Sequence, residues 1–271
     1  MPQVIALLTD FGSKDPYLAQ MKGVLLTLSP SIALVDISHE AEPFNPAHAG
    51  FLLNASRAFF PEGTIFIAVV DPGVGGMRKI VVLEKFGQTF LAPDNGLLSL
   101  VLAAPGQARA YDLTGAKDLL TASATFHGRD VFAPIAARLS NGEPARNLGP
   151  EISLEDLVCL PWARPVYTQG EVHEVSGTVL HVDRFGNCLL NLLIDPWLAR
   201  IEAWPRISLK HPKARPVVLA KTYAGLPENT LGLLAGSQGV LELCLNQGPA
   251  ARDLSLGIGH AVCLTSTRDT A

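Results

Sequence analysis

Hydrophobic positions follow two different rhythms along the 271-residue chain. In the first half, short continuous aliphatic runs at 4–9, 32–37 and 64–70 alternate with helix-period stretches. Unbroken aliphatic runs of that length suit strands buried on both faces of a parallel sheet. Between them, 16–28 reads as a helix with Leu18, Met21, Leu25 and Leu28 on one face, Asp15 as its N-cap and Pro16 in its first turn. Further helices are predicted at 45–60, 95–103 and 129–139, and a hairpin at 80–84 and 89–92. Alternation of this kind predicts an α/β domain, a mainly parallel sheet flanked by helices. Beyond residue 170 the rhythm changes. Short runs at 176–183, 188–193, 217–220, 240–245 and 261–265 are punctuated by Gly, Pro and Asn, which predicts a smaller all-β barrel or sandwich. The predicted division is 1–165 for the first domain, 166–172 for a linker carrying Tyr167, and 173–271 for the second.

Polar residues gather where the apolar runs stop. The run 65–70 ends in Asp71, and a turn with Gly73, Gly75 and Gly76 leads to Arg78. Ligands of open α/β sheets bind outside the carboxyl ends of the strands, which gives an acid and a guanidinium at that place a chemical reading. An ordinary surface turn is the competing one. Asp10 follows the first run in the same way and offers two acceptor oxygens, enough for a pair of ribose hydroxyls. Asp36 and Asp94 close other runs, and Asp94-Asn95-Gly96 also reads as a tight turn. His127 opens the helix at 129–139, where a structural hydrogen bond competes with catalysis. In the second half, Asp183 and Asn187 flank Phe185 in a turn that reads either as a hairpin or as a polar clamp with an aromatic shelf. The stretch 236–243, which contains Ser237, has the same ambiguity, with a hairpin as the plain reading.

Composition narrows the chemistry. Hydrophobic residues make up 48% and charged ones 17%, so a sizeable core can form with apolar surface to spare for subunit contacts. A net charge of −4 without a basic run argues against nucleic acid as a partner. The four cysteines contain no C-x-x-C pair, which points away from a metal site or disulfide framework. No stretch approaches the 18 apolar residues of a membrane span, and the first residues lack a basic n-region, so a soluble cytoplasmic protein is expected. Walker A, G-x-G-x-x-G in strand–helix context, H-E-x-x-H and G-x-S-x-G are all missing.

Six segments together carry a family resemblance: LTDFGSKDPYLAQMKG, FFPEGTIFIAVVDPGVGGMR, LAPDNGLL, TFHGRDVFAPIAA, VDRFGN and GSQGVLELCLNQGPAA. In this order they resemble the S-adenosylmethionine hydroxide adenosyltransferases, relatives of the fluorinating and chlorinating enzymes. The resemblance implies cleavage of S-adenosylmethionine by water to adenosine and methionine, with no cofactor and no metal. It implies a homotrimer whose sites lie between subunits. By position it assigns Asp71, Arg78 and His127 to water handling, Asp10 to the ribose hydroxyls, and Phe44 and Asn95 to the substrate's surroundings. Asp183, Phe185, Asn187 and Ser237 are expected to reach the substrate from the neighbouring subunit. One departure is Leu190-Asn191, where relatives commonly carry Thr-Asn.

The implied chemistry suits these side chains. A sulfonium leaves without protonation, so displacement at C5′ needs an oxygen held in line in a water-poor site. A carboxylate at Asp71 accepts a proton from water but repels a halide, which sets hydrolysis ahead of a chlorinase-type reaction. A non-catalytic sensor of S-adenosylmethionine or adenosine, and a metal-dependent phosphohydrolase using Asp10, Asp36 and Asp71, are the alternatives from other classes.

Overall fold

The computed structural model describes residues 2–115 and 123–266. The chain forms two compact units, Met1–Leu160 and Pro161–Ala271.

The first unit is built on β1 (Val4–Thr9), α1 (Tyr17–Leu28), β2 (Ala33–Ser38), α2 (Pro46–Arg57), β3 (Ile65–Val69), β4 (Ile80–Lys85), β5 (Gln88–Pro93), α3 (Ser99–Ala103), β6 (Ala108–Asp112), α4 (Ala133–Ser140) and β7 (Glu151–Ile152). The strands make a seven-stranded sheet in the order β2-β1-β3-β5-β4-β6-β7. Alternate residues of the aliphatic runs serve opposite faces. Ile5, Leu7 and Ile67 pack with Met21, Leu25 and Ile135, whereas Ala6, Leu8 and Phe66 pack with Ala49 and Leu53. That double burial explains why the runs show no polar alternation.

The sheet is mixed. Its β2-β1-β3-β5 portion is parallel, as the alternating pattern predicts, and β5-β4-β6-β7 is antiparallel. The change follows from the Phe86-Gly87 turn, where both residues take positive φ (58° and 68°), as a two-residue hairpin turn requires. Strand β5 then fills the gap between β3 and β4, so the carboxyl end of β3 and the amino end of β4 share one edge. The loop from Asp71 to Arg78 runs along that edge.

Two local expectations are corrected. Asp15 does not cap α1; the helix starts after Pro16 with no side-chain cap. Residues 129–139 are not one regular helix, because Gly128–Phe132 forms a π-helical turn before α4. Pro134 has no N–H to continue the usual ladder there, and the N–H of Ala133 reaches back to the carbonyl of Gly128.

The second unit contains β8 (Val166–Thr168), β9 (Glu174–Val182), β10 (Cys188–Leu193), α5 (Ile194–Glu202), β11 (Ile207–His211), β12 (Arg215–Leu219), β13 (Leu231–Ala235), β14 (Val240–Leu245), α6 (Ala250–Asp253) and β15 (Ala261–Ser266). Pairing of β10 with both β14 and β9 closes seven strands into a barrel, with β8 added outside β9. Val175, Leu190, Leu233, Leu243 and Leu264 fill its interior, together with Trp197 and Ile201 from α5. Residues 166–168 lie in the stretch read from sequence as linker, yet they form the edge strand β8 against β9. Three residues are too short a run to display a period.

Lys85 is a buried cation at the far end of β4, 4% exposed. Its Nζ donates to the carbonyls of Leu102 and Ala104 at the end of α3, at 3.2 and 2.5 Å. Those carbonyls have no partner within the helix. Lys85→Met keeps the aliphatic stem and removes the donors; unfolding in denaturant should show a loss of about 1–3 kcal/mol.

Candidate active site

Strand register brings the site together. Thr9 of β1 pairs beside Val69 of β3, which sets Asp10 and the Val70-Asp71 step on adjacent strand ends. Asn95 fixes the second of these: its Nδ2 donates to the carbonyl of Val70 at 2.8 Å, and its Oδ1 accepts from Leu97 N–H at 3.2 Å. Asn95 therefore acts on the backbone one residue before Asp71. Gly96 beside it takes φ +92°, and a Cβ there would sit 2.3 Å from Leu160, so the turn requires glycine.

Asp71, Arg78 and His127 meet. Arg78 Nε donates to both Asp71 oxygens, at 3.1 and 2.9 Å, and Nη2 donates to Oδ2 at 2.6 Å. The same Nη2 lies 2.8 Å from His127 Nδ1. A guanidinium has donors and no acceptor, so Nδ1 must be the unprotonated nitrogen. His127 is therefore neutral, with its proton on Nε2. Electrostatics agree: burial, then the charge of Arg78, lowers the His127 pKa below the ordinary histidine value, against opposition from Asp71 and Asp130. The Asp71 and Arg78 side chains are only 4% and 10% exposed, and they lie paired at 2.6 Å. Among the described residues, Oδ1 of Asp71 carries only the longer Arg78 contact and keeps room to accept another proton donor.

The segment holding His127 is locked by aromatic contacts. Phe11, Tyr17 and Phe126 form a cluster of edge-on rings with centroids 5.1 to 6.1 Å apart. A Cβ on Gly128 would come within 3.2 Å of Phe11 and Phe126. Arg129 pairs with Asp130 rather than entering the triad.

Asp10 is a neighbour with capacity to spare. Its Oδ2 accepts the N–H of Phe44 at 3.0 Å, and Oδ1 accepts no hydrogen bond among the described residues. Phe44 sits at φ +64° with its ring 74% exposed. A bulky residue in the left-handed region is strained, and such strain concentrates at ligand sites. Asp36 and Asp94 do not join: Asp36 pairs with Lys22, and Asp94 accepts from Val158 N–H. Among the described residues, no three His, Cys, Asp or Glu side chains converge to hold a metal ion.

In the second unit Asp183, Phe185 and Asn187 share the β9–β10 turn. Asp183 Oδ1 accepts from Phe185 N–H and Asn187 N–H, at 2.9 and 2.8 Å, and its Oδ2 accepts from Asn187 Nδ2 at 2.9 Å. The carboxylate organises the turn and holds the buried Asn187, leaving the 78% exposed Phe185 on offer. Ser237 lies apart, in the turn between β13 and β14, at the other end of β14 from Cys188. Asn191, where the expected Thr-Asn pair becomes Leu-Asn, is a structural tie between Thr178 N–H and the Trp162 carbonyl, at 2.8 and 2.7 Å. Sequence reading missed Glu242, a buried acid on β14 that accepts from the Tyr223 hydroxyl. Burial, opposed by that hydrogen bond, raises its pKa. An acid between two leucines in a strand was the available signal.

Comparison with known proteins gives two family matches. Residues 5–149 match the SAM hydroxide adenosyltransferase N-terminal domain and residues 177–263 its C-terminal domain. A curated relative from Thermus thermophilus, named (R)-S-adenosyl-L-methionine hydrolase, is 38% identical across 96% of this chain and 98% of its own. A fluorinase from an Actinoplanes species is 27% identical over 97% of both chains. A crystal structure of an uncharacterized conserved protein from Thermotoga maritima superposes with a TM-score of 0.85 at 34% identity, covering 96% of this chain and 99% of that one.

The proton assignment of His127 is testable by nitrogen-resolved NMR. The Nε2–H tautomer is expected, with a titration midpoint below the ordinary histidine value. Keeping the ring neutral costs nothing above that value. As pH falls from the ordinary value to the folded midpoint, the unfolded chain binds the proton first and stability is lost. Arg78→Gln removes the neighbouring cation, so the midpoint should move up.

Proposed function

The chain belongs to the SAM hydroxide adenosyltransferase family, and from that premise we propose that it hydrolyses S-adenosyl-L-methionine (SAM) to adenosine and L-methionine. The observation that carries this reading is the fixed Asp71–Arg78–His127 arrangement. A water that donates to Asp71 Oδ1 and accepts from His127 Nε2–H keeps one lone pair free for C5′. Attack forms the C5′–O bond while the C5′–S bond breaks, and its electron pair neutralises the sulfonium as methionine's thioether. The water's proton passes to Asp71 and then to solvent. Arg78 holds the carboxylate and the imidazole in place and blocks Nδ1 from acting as a base. Asp10 holds the ribose hydroxyls on its free oxygen, with Phe44 beside it. Asn95 acts by positioning the strand end.

A halide brings no proton for Asp71 and meets the repulsion of its charge, so water is the nucleophile. No metal takes part, since a sulfonium needs no Lewis acid to leave. The working assembly is a homotrimer, with Asp183, Phe185, Asn187 and Ser237 completing the site of a neighbouring subunit. Exposed apolar side chains beside the triad, Val74 and Met77, favour such an arrangement. The location is the cytoplasm, a reducing compartment in keeping with four free cysteines. No helix among the described residues is long and apolar enough to cross a membrane.

Incubation with SAM in EDTA should yield adenosine and methionine in equal amounts. In ¹⁸O-water the label should enter the adenosine 5′ oxygen. Intact SAM, or a 5′-halo-nucleoside formed at a competing rate when chloride or fluoride is added, would overturn the reading. Asp71→Ala should cut kcat by about 100-fold or more with SAM binding nearly unchanged; lost binding would recast Asp71 as a ligand holder. Sedimentation in solution checks the trimer.

A further inference from the structure

The loop presenting Asp10 is held by a buried polar chain that the reaction above does not use. Thr9, the last residue of β1, is wholly buried. Its Oγ1 accepts the N–H of Phe11 at 3.2 Å and lies 2.8 Å from His39 Nδ1. His39 is also buried, with Nε2 lying 3.1 Å from Asp36 Oδ1. The other Asp36 oxygen accepts from Lys22 Nζ at 2.6 Å. Backbone bonds run alongside: Gly12 N–H donates to the His39 carbonyl at 2.7 Å, and Ala41 N–H to the Thr9 carbonyl at 3.4 Å.

This alignment depends on an irregularity between β1 and β2. Leu7 pairs with Asp36 but Leu8 with Ser38, so one extra residue, Ile37, is accommodated. The shift brings His39 level with Thr9. Bulges next to active sites commonly re-aim a side chain in this way.

An aspartate, a histidine and a hydroxyl in sequence are the parts of an activated nucleophile. Here that reading fails, because Thr9 has no exposed surface and its oxygen already serves two protein groups. The contacts do tie the loop to β2. Phe11 N–H occupies one lone pair of Oγ1. The 2.8 Å contact with His39 Nδ1 engages the hydroxyl from its other side. The contacts run from Lys22 through Asp36, His39 and Thr9 to Phe11, and so end on the residues either side of Asp10.

We propose that His39 is a positioning residue for ribose recognition: through Thr9 it fixes the strand end that aims the Asp10 carboxylate. The proposal rests on the reading of Asp10 as the residue that holds the ribose hydroxyls. It assigns to His39 a share in discriminating ribose from deoxyribose, with no contact to substrate and no part in the displacement. The triad, on the loop between β3 and β4 and at the π-helical turn, is held by separate bonds and should be unaffected.

The test compares SAM with its 2′-deoxyribose analogue on the full-length enzyme and on His39→Ala, His39→Asn and Asp10→Ala. The unaltered enzyme should prefer the ribose substrate by about tenfold or more in kcat/KM. His39→Ala should raise KM for SAM by about tenfold, leave kcat within about threefold, and lose most of that preference. His39→Asn, whose side-chain amide can donate to or accept from the Thr9 hydroxyl, should restore much of it. A purely structural role would depress both substrates alike and leave their ratio intact; an unchanged ratio in His39→Ala overturns the proposal. If His39→Ala does not fold, the ratio in His39→Asn decides, since a full loss there with a normal melting temperature overturns the proposal. Asp10→Ala separates the two levels. If it keeps the ribose preference, the reading of Asp10 is wrong, whatever His39 does.

Discussion

Arg78 is the hub on which the site depends. One guanidinium nitrogen donates to Asp71 Oδ2 at 2.6 Å and to His127 Nδ1 at 2.8 Å. Because arginine can only donate, this one group decides the state of both partners. It keeps Asp71 as an acceptor and His127 as a neutral ring with its remaining proton on Nε2. A lysine would supply the charge without the planar fork that reaches both sites at once. The acid and the imidazole are thus complementary in the proposed reaction: one side of the triad takes a proton from water, and the other offers one in a hydrogen bond. Water is the one candidate nucleophile that uses both.

That hub exists only because of the strand order. Had β4 followed β3 as a parallel neighbour, Arg78 would have been carried to the opposite edge of the sheet from Asp71. The Phe86-Gly87 hairpin reverses β5 against β4 and lets β5 pair in parallel with β3. The 70–79 loop then begins and ends at one edge. Its tight path is held from the side: Gly75 takes φ +75°, and a Cβ there would lie 2.5 Å from the Ala124 carbonyl. His127 comes in over the same edge on an irregular π-helical turn, so each of the three side chains owes its place to a departure from regular structure.

Much of this was legible in the chain because buried strands and their ends leave strong marks. The aliphatic runs at β1 and β3, each stopped by an aspartate, located the sheet edge and two of its acids without any structural knowledge. What could not be read was side-chain pairing across long separations. Nothing in the neighbourhood of Asn95 announces a bond to Val70, and nothing near Thr9 announces His39, thirty residues on. Helix starts were also poorly marked, since Asp15 has the composition of a cap, while the chain enters α1 through Pro16 without one. Capping residues compete with turn formation for the same side-chain bonds, and composition does not say which wins.

Two similar-looking turns illustrate the limit best. Asp10-Phe11-Gly12 and Asp183-Arg184-Phe185-Gly186 each follow a strand, and each offers an acid beside an aromatic ring. In the second, three hydrogen bonds from the turn itself use both carboxylate oxygens, so the acid maintains the shape, with Asn187 buried against it and Phe185 facing outward. In the first, the work of shaping the loop falls to the Thr9 hydroxyl and to backbone bonds from Gly12 and Ala41. Asp10 gives up one oxygen to Phe44 and keeps the other. A carboxylate is free to bind a ligand only where other groups have taken over the folding of its loop. Around Asp10 those groups are the buried side chains of Thr9 and His39.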